Sequence, residues 1–366
     1  MDDKEYGQSE NTVSGSMRNK VSGGKKKAIW GVVSVLIAAL TVWAVMSQSK
    51  SFSFKSFLAQ IGNASQIWIA FAILSMVAFI AFEAFAILTI LRNFGHGQRV
   101  YRGLVYSSAD IYFSAITPSA TGGQPASAYF MHQDGISTTL AAVVLMANLL
   151  MYTCSTVGVG VLSTLIFPSA ITHFNTVSKL LVIIGFVVQV ALLMLIYLLI
   201  AKEKIIQSIG NGLIGFFAKI RIFKDPDAKK QKLAHSMQEY KSHVALLGGK
   251  RKMMAKVFMF NIFQRVSQIL VTVFTYIALG NPIGNAHKVF SLQTYTSIGA
   301  YCIPIPGSMG ITDYLMIDGF KNILPEDKVV SFELLSRTIS FYSCILICGV
   351  IVLISYLIRK NRRTEK

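Results

Sequence analysis

Ser114-Ala115-Ile116-Thr117-Pro118-Ser119-Ala120-Thr121-Gly122-Gly123-Gln124-Pro125 lies in the middle of a very apolar chain, yet it cannot be one continuous helix. Pro118 and Pro125 lack the backbone donor that a helix interior needs, and Gly122-Gly123 favours a break. At the depth of a bilayer, backbone of this kind is tolerated only where protein buries it or where it lines a wet cavity. A second such stretch, Pro304-Ile305-Pro306-Gly307-Ser308-Met309-Gly310-Ile311-Thr312-Asp313, lies near the other end. Four of the chain's eight prolines fall in these two stretches, so one site built from the pair is the expectation.

Composition sets the solvent. Of 366 residues, 53% are hydrophobic and only 14% are charged; a soluble domain carries roughly 25% charged residues. Several apolar runs of bilayer length make this an all-α polytopic membrane protein. The net charge of +18 does not point to nucleic acid, because the basic residues sit in the loops and tails between apolar runs. Cys154, Cys302, Cys344 and Cys348 all lie within apolar runs and have no zinc-like partner spacing. They read as packing residues, and no metal or cofactor is expected.

Working outward from the first break, six full spans are read, at residues 28–46, 67–91, 137–167, 179–201, 256–280 and 332–358. Residues 1–24 are polar and read as a disordered tail. The run at 28–46 is longer than a signal-peptide core of about 7–15 residues, so it reads as an uncleaved span. Residues 103–131 and 290–320, each carrying one Pro/Gly stretch, read as re-entrant helical hairpins. Residues 202–255 form a basic insert with two amphipathic stripes: Ile205, Ile209, Leu213, Phe216, Phe217 and Ile220, then Leu233, Met237, Tyr240, Val244 and Leu247. Residues 359–366 are a basic tail.

Orientation follows the distribution of positive charge. With both ends cytoplasmic and both hairpins returning to their side of origin, cytoplasmic segments hold 27 of the 35 Lys/Arg. A first hairpin that crossed fully would put the basic insert outside. The first hairpin thus opens from the cytoplasm and the second from the opposite side, an inverted-repeat-like plan.

The intramembrane charges are Glu83, Asp110, Arg265, Asp313, Glu333 and Arg337. Such groups are costly in lipid and face cavities or one another. Ser107, Asp110, Ser114 and Thr117 share one helix face, as do Asn261, Arg265, Gln268 and Thr272. Glu333 and Arg337 are an i, i+4 pair, and Glu83, alone on an apolar helix, is expected to serve an arginine. The candidate substrate site is Asp110, Thr117, Pro118, Thr121, Gly122, Gly123, Gln124, Arg265, Gln268, Pro304, Pro306, Gly307, Gly310, Asp313, Glu333 and Arg337. The broken half-helices would aim free N–H groups at an anionic headgroup, and an arginine would add a bidentate phosphate contact. The chain has no phosphate-binding P-loop, dinucleotide fingerprint, zinc-protease motif or nucleophile elbow, so no catalytic residue is assigned.

Residues 116–125 and 304–313, with Arg337, resemble the two signatures of the lysylphosphatidylglycerol synthase transmembrane family; Asp313 stands where the family often has Glu. The resemblance covers about residues 28–358. It implies a flippase-like domain in a bacterial plasma membrane, acting on anionic or aminoacylated phosphatidylglycerol-type lipid. It also implies a contribution to envelope charge and resistance to cationic peptides. Full-length members carry a C-terminal aminoacyltransferase domain. This chain stops at Lys366 and is read as a stand-alone member without it, so lysyl transfer is not read from these residues. Two alternatives stay open: a phosphatidylglycerol lysyltransferase or its subunit, and an ion-coupled small-solute transporter. Homo-oligomerisation is also left open.

Overall fold

Helices α1 (Gln66–Asn93) and α7 (Arg251–Ala278) run antiparallel along their full lengths at the centre of the molecule. The ends show the pairing: Ser65 N–H donates to Ala278 O at 2.8 Å, and Lys250 Nζ donates to Asn93 O at the other end. This computed structural model describes residues 62–117, 120–202, 205, 207–209, 211, 212, 214, 215, 226–303 and 305–364. All of them belong to the compact unit Ser51–Lys366. The expected span at 28–46 and the tail at 1–24 lie outside the described residues, as do Leu213, Phe216, Phe217 and Ile220 of the first amphipathic stripe.

The remaining helices are α2 (Val100–Ile116), α3 (Gly123–Gln133), α4 (Thr138–Ile166), α5 (Thr176–Ala201) and α6 (Pro226–Gly248), followed by α8 (Ala286–Gly299) and α9 (Ile311–Phe320). The last are α10 (Glu326–Arg337) and α11 (Ser343–Thr364), joined without a stop through a π turn at Thr338–Tyr342. The described residues contain no strand.

Among the described residues, five helices are long and apolar enough to cross a membrane: α1, α4, α5, α7 and the continuous 328–359 stretch of α10–α11. They match five of the six spans read from the sequence. Two of them turn most of their surface outward. On α5, Leu180, Ile183, Val187, Met194 and Tyr197 are all more than half exposed, and Leu346, Leu353 and Ile358 of α11 behave alike. Water would penalise such a surface; lipid is its natural solvent. Helix association in lipid gains little from apolar burial, so close packing and polar contacts between helices carry more of the stability.

Both Pro/Gly stretches interrupt helices. α2 and α3 flank the first break, and α8 and α9 flank the second. These four helices have 17, 11, 14 and 10 residues, short of the ~20 that a full crossing needs. α2 also packs on α1, on α11 and on the Pro306–Ser308 turn of the second break. The Leu233-to-Leu247 stripe is the face that α6 turns inward: Tyr240 and Leu247 are buried against α4, and Tyr240 Oη donates to Leu199 O.

Candidate functional site

One face of α7 carries the polar centre. Starting at its N-terminal end, Asn261 Nδ2 donates to Asn148 Oδ1 of α4 at 3.1 Å. One turn later come Gln264 and Arg265, adjacent in sequence and therefore about 100° apart around the helix axis. Gln264 Nε2 turns to α1 and donates to Glu83 Oε2 at 2.9 Å. Arg265 turns to α4 and to the second break. Further along, Thr272 and Ser336 of α10 share a hydroxyl–hydroxyl bond of 2.8 Å.

Arg265 is 2% exposed, and among the described residues no carboxylate forms an ion pair with it. Its Nη1 donates to Gln268 Oε1 at 2.6 Å. Nη2 donates to Thr156 Oγ1 at 2.9 Å, to Tyr301 Oη at 2.8 Å and to Tyr152 Oη. The guanidinium carbon stands 4.6 Å from the Tyr152 ring centroid and 5.9 Å from that of Tyr301, and the two hydroxyls touch at 3.1 Å. Nε has no partner. A cation held only by neutral dipoles and two π faces keeps its full formal charge in a low-dielectric setting, where an anion would be attracted strongly. Tyr301 belongs to the Ala300–Cys302 turn that opens the second break, so this cage joins α4, α7 and that break.

The first break is closed by its own side chains. Thr117 Oγ1 donates to Phe113 O at 2.6 Å and accepts from Gly122 N at 2.9 Å. Ser114 Oγ donates to Asp110 Oδ1 at 3.2 Å. Gly123, buried at the start of α3, rests directly on the Asp110 carboxylate, the Ser114 hydroxyl and the Asp110 carbonyl, and no Cβ fits there. Thr121 and Gln124 flank this contact. The Asp110 carboxyl also reaches that of Glu83, within hydrogen-bonding contact.

At the second break, Asp313 does two jobs. Its Oδ2 accepts from Gly310 N at 2.8 Å and so caps α9, while Oδ1 stands 2.8 Å from Arg337 Nε. Glu333 makes hydrogen-bonding contact with Asp313, and its Oε2 is otherwise unpartnered at 1% exposure. Arg337 also reaches Gly307 O at 3.4 Å and lies 4.7 Å from the Phe341 ring centroid. Phe341 belongs to the π turn, and its ring fills the space where a Cβ on Gly307 (φ 60°) would stand.

Three expectations are corrected by this geometry. Glu83 meets no arginine among the described residues; Gln264 takes the α1-facing position and directs Arg265 elsewhere. Arg337 pairs with Asp313 of α9 and not with Glu333 one turn before it, because the α9 cap holds the Asp313 carboxylate in place. The two half-helix N-termini are not open to a headgroup: Asp313 caps one, and Asp110 lies against the other. Pro118 and Pro304 lie outside the described residues, while Pro306 opens the Pro306–Ser308 turn. The candidate residues thus form three groups: Glu83–Asp110–Gln264, Arg265 with its tyrosines, and Asp313–Glu333–Arg337. Gln264, Tyr152, Tyr301 and Thr156 were missed as site members. Their signals were faint: a glutamine beside the seam arginine, a tyrosine three residues before Pro304, and a threonine one turn after Tyr152.

A family model described as lysylphosphatidylglycerol synthase TM region matches residues 31–348, most of the chain. The chain belongs to this family. Membership in the lysylphosphatidylglycerol synthase TM-region family, with the five apolar helices, makes it a multi-pass membrane protein with a lipid-related function. A search of curated proteins finds no match to the chain.

Proposed function

We propose that this member of the family is a flippase that carries anionic or aminoacylated phosphatidylglycerol-type lipid across a bacterial plasma membrane. The observation that carries the reading is Arg265: a buried guanidinium with, among the described residues, no paired carboxylate, an unpartnered Nε and a frame of rotatable hydroxyls. A lipid phosphate supplies the missing negative charge and accepts from the same donors. The Asp313–Glu333 carboxyls, with Glu333 Oε2 unpartnered, would receive the ammonium of an aminoacylated headgroup. Arg337, already paired with Asp313, takes a positioning role instead of holding phosphate. The two helix–break–helix units would open to opposite sides, with both chain ends cytoplasmic. Moving such a lipid outward would lower the negative charge of the envelope surface and favour resistance to cationic peptides.

Proteoliposomes containing fluorescent phosphatidylglycerol or its lysyl ester test the reading through accessibility of the label to a membrane-impermeant quencher. Wild-type protein is expected to move label between leaflets. Arg265→Gln should slow it at least about 10-fold, corresponding to about 1.4 kcal/mol of lost interaction. No movement, or equal rates for wild type and Arg265→Gln, would overturn the proposal.

A further inference from the structure

Among the described residues, the Glu83–Asp110 pair is the set of ionisable groups in the centre that neither an arginine nor a lipid phosphate explains. Glu83 is 5% exposed on α1, and Asp110 reaches it from α2. Among the described residues neither carboxyl forms an ion pair. The groups facing Glu83 come from every packed helix. α2 brings Asp110, with Ser114 donating to it. α7 brings Gln264; the neighbouring Arg265 is spent on its tyrosines. α11 brings the thiols of Cys344 and Cys348, and α4 brings the Tyr152 hydroxyl. None of these is a cation that would neutralise two carboxylates.

Two carboxyl groups can share a hydrogen bond only if one carries the proton. A second feature points at a ligand here. Gln264 is 2% exposed, its Nε2 is committed to Glu83, and its buried Oε1 is an acceptor with no donor among the described residues. An unpartnered buried acceptor beside two carboxyls calls for a hydrogen-bearing occupant. The site also sits on the first break, because Gly123 at the head of α3 rests on Asp110.

We propose that Glu83 and Asp110 form a proton-binding site that couples the first helix pair to a transmembrane proton gradient. With one proton bound, the shared hydrogen bond ties α2 to α1 and holds Gly123 at the head of α3 against Asp110. When that proton leaves, two like charges face each other between the helices and α2 is driven from α1, freeing the head of α3. The proton goes to the water on whichever side the break then faces. The coupling half of the proposal rests on the flippase reading; the proton site itself does not.

Two measurements separate them. Infrared difference spectra of the purified protein in detergent, titrated from acid to alkaline pH, should show the carbonyl stretch of an un-ionised carboxylic acid persisting at neutral pH. That band should shift in deuterium oxide and lose intensity in Glu83→Gln and in Asp110→Asn. Absence of a neutral-pH band in the wild type, or a band unchanged by both substitutions, would overturn the proton site without reference to any lipid. In the proteoliposome assay, an imposed pH gradient of two units should change the wild-type lipid rate about 10-fold and leave Glu83→Gln unresponsive. Lipid movement that ignores the gradient would overturn the coupling while leaving the flippase reading intact. No lipid movement under any gradient would overturn the flippase reading and the coupling together, and the infrared result alone would then decide the proton site.

Discussion

The two helix–break–helix units use the same parts with different charge balance. Each carries an aspartate near its break and sets it against a glutamate from a neighbouring span: Asp110 with Glu83, Asp313 with Glu333. Each also has an aspartate anchoring its far end. Asp134, just after α3, receives Arg359 through two bonds of 3.0 Å and Tyr106 Oη at 2.6 Å. Asp318, in α9, receives Asn175 N–H at 2.8 Å and Lys321 Nζ at 2.6 Å. The difference lies at the acid pairs. The second has Arg337 as counter-ion, and among the described residues the first has only neutral donors, the amide of Gln264 and the hydroxyl of Ser114. A pair with a fixed counter-ion holds one geometry; a pair without one depends on its protonation. The comparison therefore assigns the fixed role to the second unit and the movable role to the first.

The largest effect that would break this contrast comes from removing the counter-ion. Arg337→Leu should strand Asp313 and Glu333 in the interior and cost about 3–5 kcal/mol, read as a collapse of the folded fraction in detergent. Glu83→Gln, in the unit without a counter-ion, should change stability by no more than about 1 kcal/mol. Equal damage from both would erase the distinction. Next in size is Gly123→Ala, which places a methyl on the Asp110 carboxylate and backbone. We expect about 1–3 kcal/mol of destabilisation. The milder clash at Gly349, where a Cβ would stand 2.9 Å from the Tyr112 ring, should cost less because a ring edge can tilt.

The two anchors should also differ. Arg359 has a side chain 17% exposed and grips Asp134 with two nitrogens, so Arg359→Ala should cost about 1–3 kcal/mol. Lys321 is 45% exposed, and Lys321→Ala should cost under about 1 kcal/mol. Hydrogen exchange at α3 and α9 would rank the two.

The smallest effect concerns pH. Burial, with Lys288 adding to it, holds the His173 imidazole below its ordinary value of 6.5. A depressed value means that the unfolded chain takes up the proton first. This contribution to stability is therefore present above about pH 6.5 and lost as the pH falls through the depressed value. His173→Gln should flatten that slope in melting curves between pH 7 and pH 5.

Much of the architecture could be read from the chain because its signals are local. Apolar windows marked five of the described helices as spans, and Pro118, Pro125 and the paired glycines marked the first break without any partner being known. The α7 seam was visible because its periodicity is that of one helix. Choice of partner was not visible. Glu83 and Gln264 are 181 positions apart, and Arg265 and Tyr152 are 113 apart. Local spacing even misled at Glu333 and Arg337. The i, i+4 rule describes an exposed helix with nothing else in reach, whereas here a capped carboxylate from α9 competes successfully.

Arg359 has a practical consequence. It lies in the last helical turns of α11, yet its guanidinium covers the Phe130 ring at 5.2 Å and gives two hydrogen bonds to Asp134. The far end of α11 is thus a strap fastened to the outlet of the first break. A fluorescent protein, affinity tag or antibody joined after residue 364 would load that strap. Tagged preparations should therefore be checked against untagged protein before any gating measurement is interpreted.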